Sequence, residues 1–204
     1  MTQIRVASPS RDKLQRRAIA LLWATVVWNL LEAVVAIGAG RAAGSSALLG
    51  FGLDSAIEVS SAAIVLWQFR APIPENRERR ALRLIALSFF GLAAWVSVTA
   101  AGDLVQQNEP DASSIGIALA IASLIVMPIL ARAKQQVGRA LGATTVMADS
   151  VQTWLCTSLS AVLLVGLVAN AAAGWWWADP VAGLVIAAIA AREGRQAWRG
   201  EKCC

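Results

Sequence analysis

The sequence predicts an all-α fold: a polytopic membrane protein built as a bundle of six transmembrane helices, with both termini cytoplasmic. Three observations lead to this prediction. The 204-residue chain is 57% hydrophobic and only 15% charged, whereas a soluble domain has about 25% charged residues. Its apolar residues form blocks of the length that a bilayer-spanning helix needs, which is about 20 residues. Its Lys and Arg residues gather in alternate segments between those blocks.

The apolar blocks are read as helices, because lipid offers backbone N–H and C=O groups no partner and each segment must satisfy its own. The segments between them are rich in Gly, Pro, Asn and Asp, which form turns. The first block is too long for the apolar region of a signal peptide, and no convincing cleavage site follows it. The six predicted spans are residues 17–40, 46–69, 82–102, 114–132, 142–171 and 177–191.

The basic residues predict the orientation of these spans. Of the 18 Lys and Arg residues, 17 fall in the two tails, in the second and fourth loops or at the ends of the spans next to them, and only Arg41 falls on the opposite side. Segments rich in Lys and Arg stay cytoplasmic. We therefore expect a cytoplasmic tail at 1–16, a transmembrane domain at 17–191 and a cytoplasmic tail at 192–204. The net charge of +5 then needs no nucleic-acid partner to explain it.

Four acids, Glu32, Asp54, Glu58 and Asp149, lie inside the predicted spans, where no basic residue is expected. Each ionisable group at membrane depth costs about 2.5–3.5 kcal/mol, so these acids need protons, water or a bound cation. A carboxylate that holds either a proton or a cation can exchange one for the other. The simpler alternative, an acid facing a polar cavity, is weakest for Asp54 and Glu58, because residues four apart share one helix face.

The fifth span carries a matching set of polar residues in "VMADSVQTWLC". Asp149, Gln152 and Cys156 follow one another at steps of three and four, so they share a helix face. At about 1.5 Å per residue, Asp54 and Cys156 lie at similar depths in antiparallel helices and could face one cation near the midplane. Taken alone, Cys156 is typical of a small buried apolar residue, and Gln152 of a hydrogen bond between helices.

Three further features have open or ordinary interpretations. Glu32 and Asn29 lie one turn apart in the first span and either line an ion path or bond a neighbouring helix. Asp179 precedes a proline, which is typical of a residue that caps its own helix. Cys203 and Cys204 end the chain on the predicted reducing side, where a disulfide is not expected, and their role stays open.

The segment "NLLEAVVAIGAGRAAGSSALLGFGLDSAIE" resembles the first two helices of the cation diffusion facilitator family. "ADPVAGLVIAAI" is similar to the start of that family's sixth helix. The resemblance implies six transmembrane helices with cytoplasmic termini, a homodimer, and export of divalent metals such as zinc against protons. It also implies a metal site that pairs two acids of helix two with polar residues of helix five.

Carried over residue by residue, that site consists of Asp54, Glu58, Asp149, Gln152 and Cys156. Glu58 stands where the family has Asp, Gln152 where it has His, and Cys156 where it has Asp; the chain contains no His at all. The family's cytoplasmic domain after helix six is also not expected here. The thiol favours Zn²⁺ as the transported ion, whereas carboxylate and amide oxygens favour harder ions, so Mn²⁺ or Fe²⁺ stays open. No tightly bound cofactor is expected.

Catalysis finds no support in the sequence, which has no nucleophile elbow and no phosphate-binding loop. We expect a proton-coupled exporter of divalent metal ions, embedded in lipid in a bacterial inner membrane, in which the ion enters past Asp149. One alternative is a non-transporting metal sensor or an assembly partner of another transporter. Another is a proton-coupled exporter of small organic cations, which would use the same acids but would not need Cys156. The metal, the coupling ratio, the dimer interface and the direction of transport stay open.

Overall fold

A computed structural model of the chain describes residues 9–69 and 75–199. These residues form six α-helices and no strand, which confirms the predicted fold class. The predicted tail positions 1–8 and 200–204, with Cys203 and Cys204, and the loop positions 70–74 lie outside the described residues. The helices are α1 (Pro9–Ala43), α2 (Ser46–Phe69), α3 (Glu75–Gln106), α4 (Ser114–Leu141), α5 (Thr144–Ala173) and α6 (Ala178–Arg199).

Most of the helices are longer than the predicted spans, because charged segments assigned to tails and loops continue them. α1 begins within the predicted N-terminal tail, and α3 includes the run "ENRERR". Arg, Lys, Glu and Gln are good helix formers, so a charged segment next to an apolar one can extend the same helix. Five helices, α1 to α5, are long and apolar enough to cross a membrane. The last turns of α6 carry Arg192, Glu193, Arg195 and Arg199, so its crossing stays a prediction.

The bundle consists of a ring of four helices with a helix pair against its side. α1 packs on α2, α2 on α5, α5 on α4 and α4 on α1, which closes the ring. α3 and α6 pack along each other and against α2, and α6 also contacts α5. The largest core cluster includes Phe51, Met127, Leu163 and Ile186, from four different helices. α2 and α5 therefore occupy the centre of the molecule.

The outer surface of the bundle is apolar, and much of its polar content is inside. Leu31 of α1 is 60% exposed, Val98 of α3 73% and Ile125 of α4 61%. Buried polar or charged residues occur in every helix that meets the centre. A monomeric soluble protein rarely exposes large contiguous apolar patches, so this distribution is that of a protein surrounded by lipid.

α1 and α4 end in the same way, and each is followed closely by its neighbour. Gly44 and Gly142 adopt the left-handed conformation, with φ of 65° and 63°, which costs glycine little. The Ser45 N–H donates to the carbonyl of Gly40 and the Ala143 N–H to that of Gly138, both at 3.0 Å. This is the hydrogen bond of a glycine-terminated helix, and it turns the chain directly into α2 and α5.

The start of α2 is capped by a carboxylate from another helix. Asp179 Oδ1 accepts from the Ser45 hydroxyl at 2.6 Å, and its Oδ2 accepts from the Ala47 N–H at 3.2 Å. The prediction that Asp179 caps its own helix is wrong, because α6 already begins at Ala178 and the Asp179 side chain turns towards α2. The buried N–H groups at the start of α2 lack helical partners, and a carboxylate satisfies them well.

Gly52 allows α1 and α2 to approach closely next to the acids of both helices. A Cβ atom on Gly52 would lie 2.8 Å from Ile37 Cγ1 and 3.1 Å from the Ile37 backbone nitrogen. The backbone atom cannot move aside as a flexible side chain can. The glycine therefore fixes the distance across which Glu32 of α1 faces Ser55 of α2.

Candidate functional site

All seven residues selected from the sequence are buried within the ring of α1, α2, α4 and α5. Asp54 and Glu58 lie one turn apart on α2, with 1% and 0% of their surfaces exposed. None of the seven is more than 4% exposed. Burial of so many polar groups is costly unless they are paired or hydrogen-bonded. The seven residues are Asn29 and Glu32 of α1, Asp54 and Glu58 of α2, and Asp149, Gln152 and Cys156 of α5.

Three of these residues, with Ser55, form one group that we call the thiol cluster: Glu32, Asp54, Ser55 and Cys156. Glu32 Oε2 accepts from the Ser55 hydroxyl at 3.2 Å and lies 3.9 Å from the Cys156 sulfur. Asp54 directly precedes Ser55 in the chain and is almost fully buried. The predicted match in depth between Asp54 and Cys156 stays a prediction. Glu32, which the sequence placed only on a possible ion path, is a direct member of this group.

The other two acids meet a lysine, in a group that we call the lysine cluster: Glu58, Lys134, Asp149 and Thr153. Lys134 Nζ lies 2.7 Å from Asp149 Oδ2 and 3.6 Å from Glu58 Oε1. It donates to the Thr153 hydroxyl at 2.7 Å, and that hydroxyl in turn donates to Glu58. Lys134 and Glu58 are fully buried. Oxygens of α2 and α5 thus surround an ammonium group carried by α4.

The expectations that Lys134 belongs to a cytoplasmic loop and that the spans contain no basic residue are wrong. α4 continues to Leu141, and Lys134 lies on its buried face. A signal was present in the sequence, because that face repeats at helical steps through Ala120, Met127, Ala131 and Lys134. The positive-inside rule favoured a loop, since it counts Arg132, Lys134 and Arg139 together. It cannot tell which of three nearby basic residues points inward.

Several polar atoms of the site have no hydrogen-bond partner among the described residues. They are Asn29 Oδ1, Glu32 Oε1, Asp54 Oδ1, Glu58 Oε2 and Gln152 Nε2. Leaving a buried polar group unsatisfied costs about 1–3 kcal/mol. Five such atoms in one site therefore call for an explanation. Four of the five are oxygens, and three of these belong to carboxyl groups. This set of atoms suits protons or a cation.

The structure divides the predicted metal ligands between the two clusters. Asp54 and Cys156 belong to the thiol cluster, whereas Glu58 and Asp149 flank Lys134 in the lysine cluster. In the ranges 9–69 and 75–199, no three Cys, Asp or Glu side chains are arranged to hold a metal ion together. The single five-residue metal site therefore stays a prediction. In the structure, the ammonium group of Lys134 lies between Glu58 and Asp149, where the sequence predicted a metal ion.

Comparison with known proteins gives this buried cluster a context. The sequence profile of the cation efflux transmembrane domain matches residues 83–199, which is more than half of the chain. The chain belongs to the cation efflux family. The matched part runs from α3 to α6 and contains Lys134 and the three α5 residues, whereas Asp54 and Glu58 of α2 precede it. The resemblance found in the sequence is thereby confirmed, and the family is one of membrane-embedded cation transporters.

Two individual proteins are similar to this one over most of its length. Transmembrane protein 163 of Xenopus laevis is 24% identical over 179 residues, which cover 86% of this chain and 64% of that protein. The uncharacterized transporter sll1263 of Synechocystis sp. (strain ATCC 27184 / PCC 6803 / Kazusa) is 28% identical over 162 residues, or 74% of this chain and 52% of that protein. The chain thus spans less than two thirds of the length of either relative.

Proposed function

We propose that the protein exports divalent metal cations, zinc foremost, in exchange for protons, through a site between α2 and α5. The observation that carries this proposal is the acid pair of α2. Asp54 and Glu58 are fully or almost fully buried one turn apart, and each has a carboxyl oxygen without a hydrogen-bond partner in the described part of the chain. In a chain of the cation efflux family, such a pair suits a cation that must bind and leave. The function is transport rather than catalysis.

The proposed ligands are Asp54, Glu58, Asp149, Gln152 and Cys156, with Glu32 and Asn29 along the ion path. Support for zinc comes from Cys156, because a thiolate is a soft ligand and zinc accepts sulfur and oxygen together. The sulfur of that thiol lies 3.9 Å from the carboxyl oxygen Oε2 of Glu32. A site that used the carboxylates and Gln152 without the thiol would suit Mn²⁺ or Fe²⁺ better.

Proton exchange follows from the chemistry of the same groups. A carboxyl or thiol group at membrane depth is stable when it is protonated, and it must lose that proton to bind a metal. We propose that the ion enters from the cytoplasm past Asp149 and that protons from outside drive its release. The positive-inside pattern supports cytoplasmic termini. A homodimer in a bacterial inner membrane completes the proposal.

One observation favours a second candidate, a membrane metal sensor or assembly partner that does not transport. Lys134 already lies 3.6 Å from Glu58 and 2.7 Å from Asp149 and balances the charge of one of them. If the ammonium stays there permanently, only the thiol cluster is left to bind a metal. Such a protein would bind zinc without moving it.

Flux through purified protein in proteoliposomes decides between the two. Uptake of Zn²⁺ and of Mn²⁺ is measured with a proton gradient of either sign and with none, for the wild type and Cys156→Ala. The transport proposal predicts that one sign of the proton gradient speeds metal uptake by the wild type and that the opposite sign slows it. It also predicts that Cys156→Ala loses Zn²⁺ flux but keeps Mn²⁺ flux. Zinc binding by folded protein with no flux of either metal would instead support the sensor or partner.

A further inference from the structure

We propose that Lys134 is a tethered counter-cation, which holds Glu58 and Asp149 while no metal is bound and which the transported metal must displace. The proposal rests on the proposed function, and it adds a residue that determines how tightly the metal binds. It starts from the lysine cluster, where one ammonium group from α4 meets three oxygens from α2 and α5. Lys134 is therefore attached to a different helix from every group that its ammonium contacts.

The partners of the ammonium are of the kind that a metal ion takes. An ammonium has three N–H donors, and here its neighbours are two carboxylates and one hydroxyl. Carboxylate and other oxygen groups are also the ligands of hard divalent cations. Glu58 Oε2 has no hydrogen-bond partner among the described residues and can serve an incoming ion without first breaking a contact.

Charge balance makes the ammonium and the metal exclude each other. With both carboxylates ionised, Glu58, Asp149 and the lysine together carry a net charge of −1, whereas the two carboxylates with a divalent metal in place of the lysine are neutral. Both cations together would leave a net charge of +1 in a fully buried site, where like charges repel strongly because the dielectric constant is low. The metal therefore binds as the lysine leaves, and the returning lysine helps to expel the metal.

The alternative is that Lys134 is a permanent brace between α4 and its neighbours. In both cases its removal leaves two buried carboxylates without their partner, which destabilises the protein. The two cases differ in what a metal does next. For a counter-cation, a divalent metal takes the vacated position and restores stability, whereas for a brace it does not.

The test compares wild type with Lys134→Met, which keeps most of the length of the side chain and removes its charge. Lys13→Met, at an exposed position of α1, is the matched control for the change in net charge. Zn²⁺ and Mn²⁺ binding is measured by calorimetry, and thermal unfolding is followed with and without each metal. We expect Lys134→Met to bind at least one of the metals about tenfold more tightly or better, and to gain more in Tm from it than the wild type. Lys13→Met should behave as the wild type.

A second measurement needs no substitution in the site. The chain has three lysines, Lys13, Lys134 and Lys202, so protein labelled with ¹⁵N at the lysine side chains gives few NMR signals. The buried ammonium of Lys134 should exchange its protons more slowly than the exposed one of Lys13. Saturating Zn²⁺ should shift the Lys134 signal or remove its protection, because the ammonium leaves its three oxygens.

The outcomes separate this inference from the proposed function. A wild type that binds metal, together with unchanged affinity in Lys134→Met or an unchanged Lys134 signal at saturating Zn²⁺, overturns the counter-cation and leaves transport standing. Metal binding in Lys134→Met but not in the wild type contradicts both, because the metal then cannot displace the lysine. No binding of either metal to either protein overturns both.

Discussion

The carboxylate of Asp179 should be one of the most important single groups for the stability of α2. It is 1% exposed and accepts two hydrogen bonds, from the Ser45 hydroxyl at 2.6 Å and the Ala47 N–H at 3.2 Å. A hydrogen bond to a charged group contributes about 1.5–3 kcal/mol, and loss of a helix N-cap costs about 0.5–2 kcal/mol. The two estimates overlap, since they describe the same contacts. We therefore expect Asp179→Ala to lower the free energy of unfolding by about 1.5–3 kcal/mol.

Asp179→Asn should cost less, about 1–2 kcal/mol, because its amide oxygen can still accept from Ser45 while its NH₂ group faces the Ala47 N–H. The exposed Asp111 provides the matched control, Asp111→Asn. Unfolding is followed by circular dichroism in mixed micelles with increasing SDS. If Asp179→Ala unfolds at the same SDS fraction as the Asp111→Asn control, the capping of α2 by α6 is not a stabilising contact and the reasoning is wrong.

Three further predictions concern the framework of the site. Gly52→Leu should destabilise the protein by about 1–3 kcal/mol, because overpacking forces α1 and α2 apart. The control Gly38→Leu has open space around it and should unfold as the wild type does. Equal unfolding midpoints for the two variants would contradict the close approach of α1 and α2. Asn170→Ala should lower the free energy of unfolding by about 1 kcal/mol and speed proteolysis of the α3–α4 loop, because Asn170 Nδ2 donates to the Pro110 carbonyl at 2.7 Å. An unchanged cleavage rate would show that this hydrogen bond does not anchor the loop. Thr153→Val should lower the free energy of unfolding by about 1–3 kcal/mol, because it leaves the ammonium of Lys134 and the carboxylate of Glu58 without their shared hydroxyl. A Tm equal to that of the wild type would contradict the lysine cluster.

The number and order of the helices could be predicted from the sequence, because lipid requires long apolar helical segments. The burial of Asp54, Glu58, Asp149, Gln152 and Cys156 could be predicted as well, because each lies within such a segment and shares a face with the others of its helix. These inferences need only the period of one helix. They do not depend on which helices are neighbours.

What could not be predicted depends on contacts between distant helices. Asp179 lies more than 130 positions from Ser45 and Ala47, and only the packing of α6 against α2 shows that it caps the latter. Lys134 lies at the end of an apolar block with two other basic residues close by, and only the packing of α4 on α5 turns it inward. In both cases the contacts of a charged side chain are determined by the packing of distant helices. The local sequence rules for helix caps and loops do not predict these contacts.

The most direct test of the proposed function is metal flux through Asp54→Asn in proteoliposomes. Asn has nearly the shape of Asp but cannot hold a cation by charge or carry an exchangeable acid proton. Asp111→Asn, at an exposed position, is the matched control, and circular dichroism confirms that both variants are folded. Our account predicts that Asp54→Asn reduces proton-driven Zn²⁺ and Mn²⁺ uptake to the level of protein-free vesicles, while Asp111→Asn transports as the wild type does. Undiminished uptake by folded Asp54→Asn would contradict a cation path through the buried acids of α2.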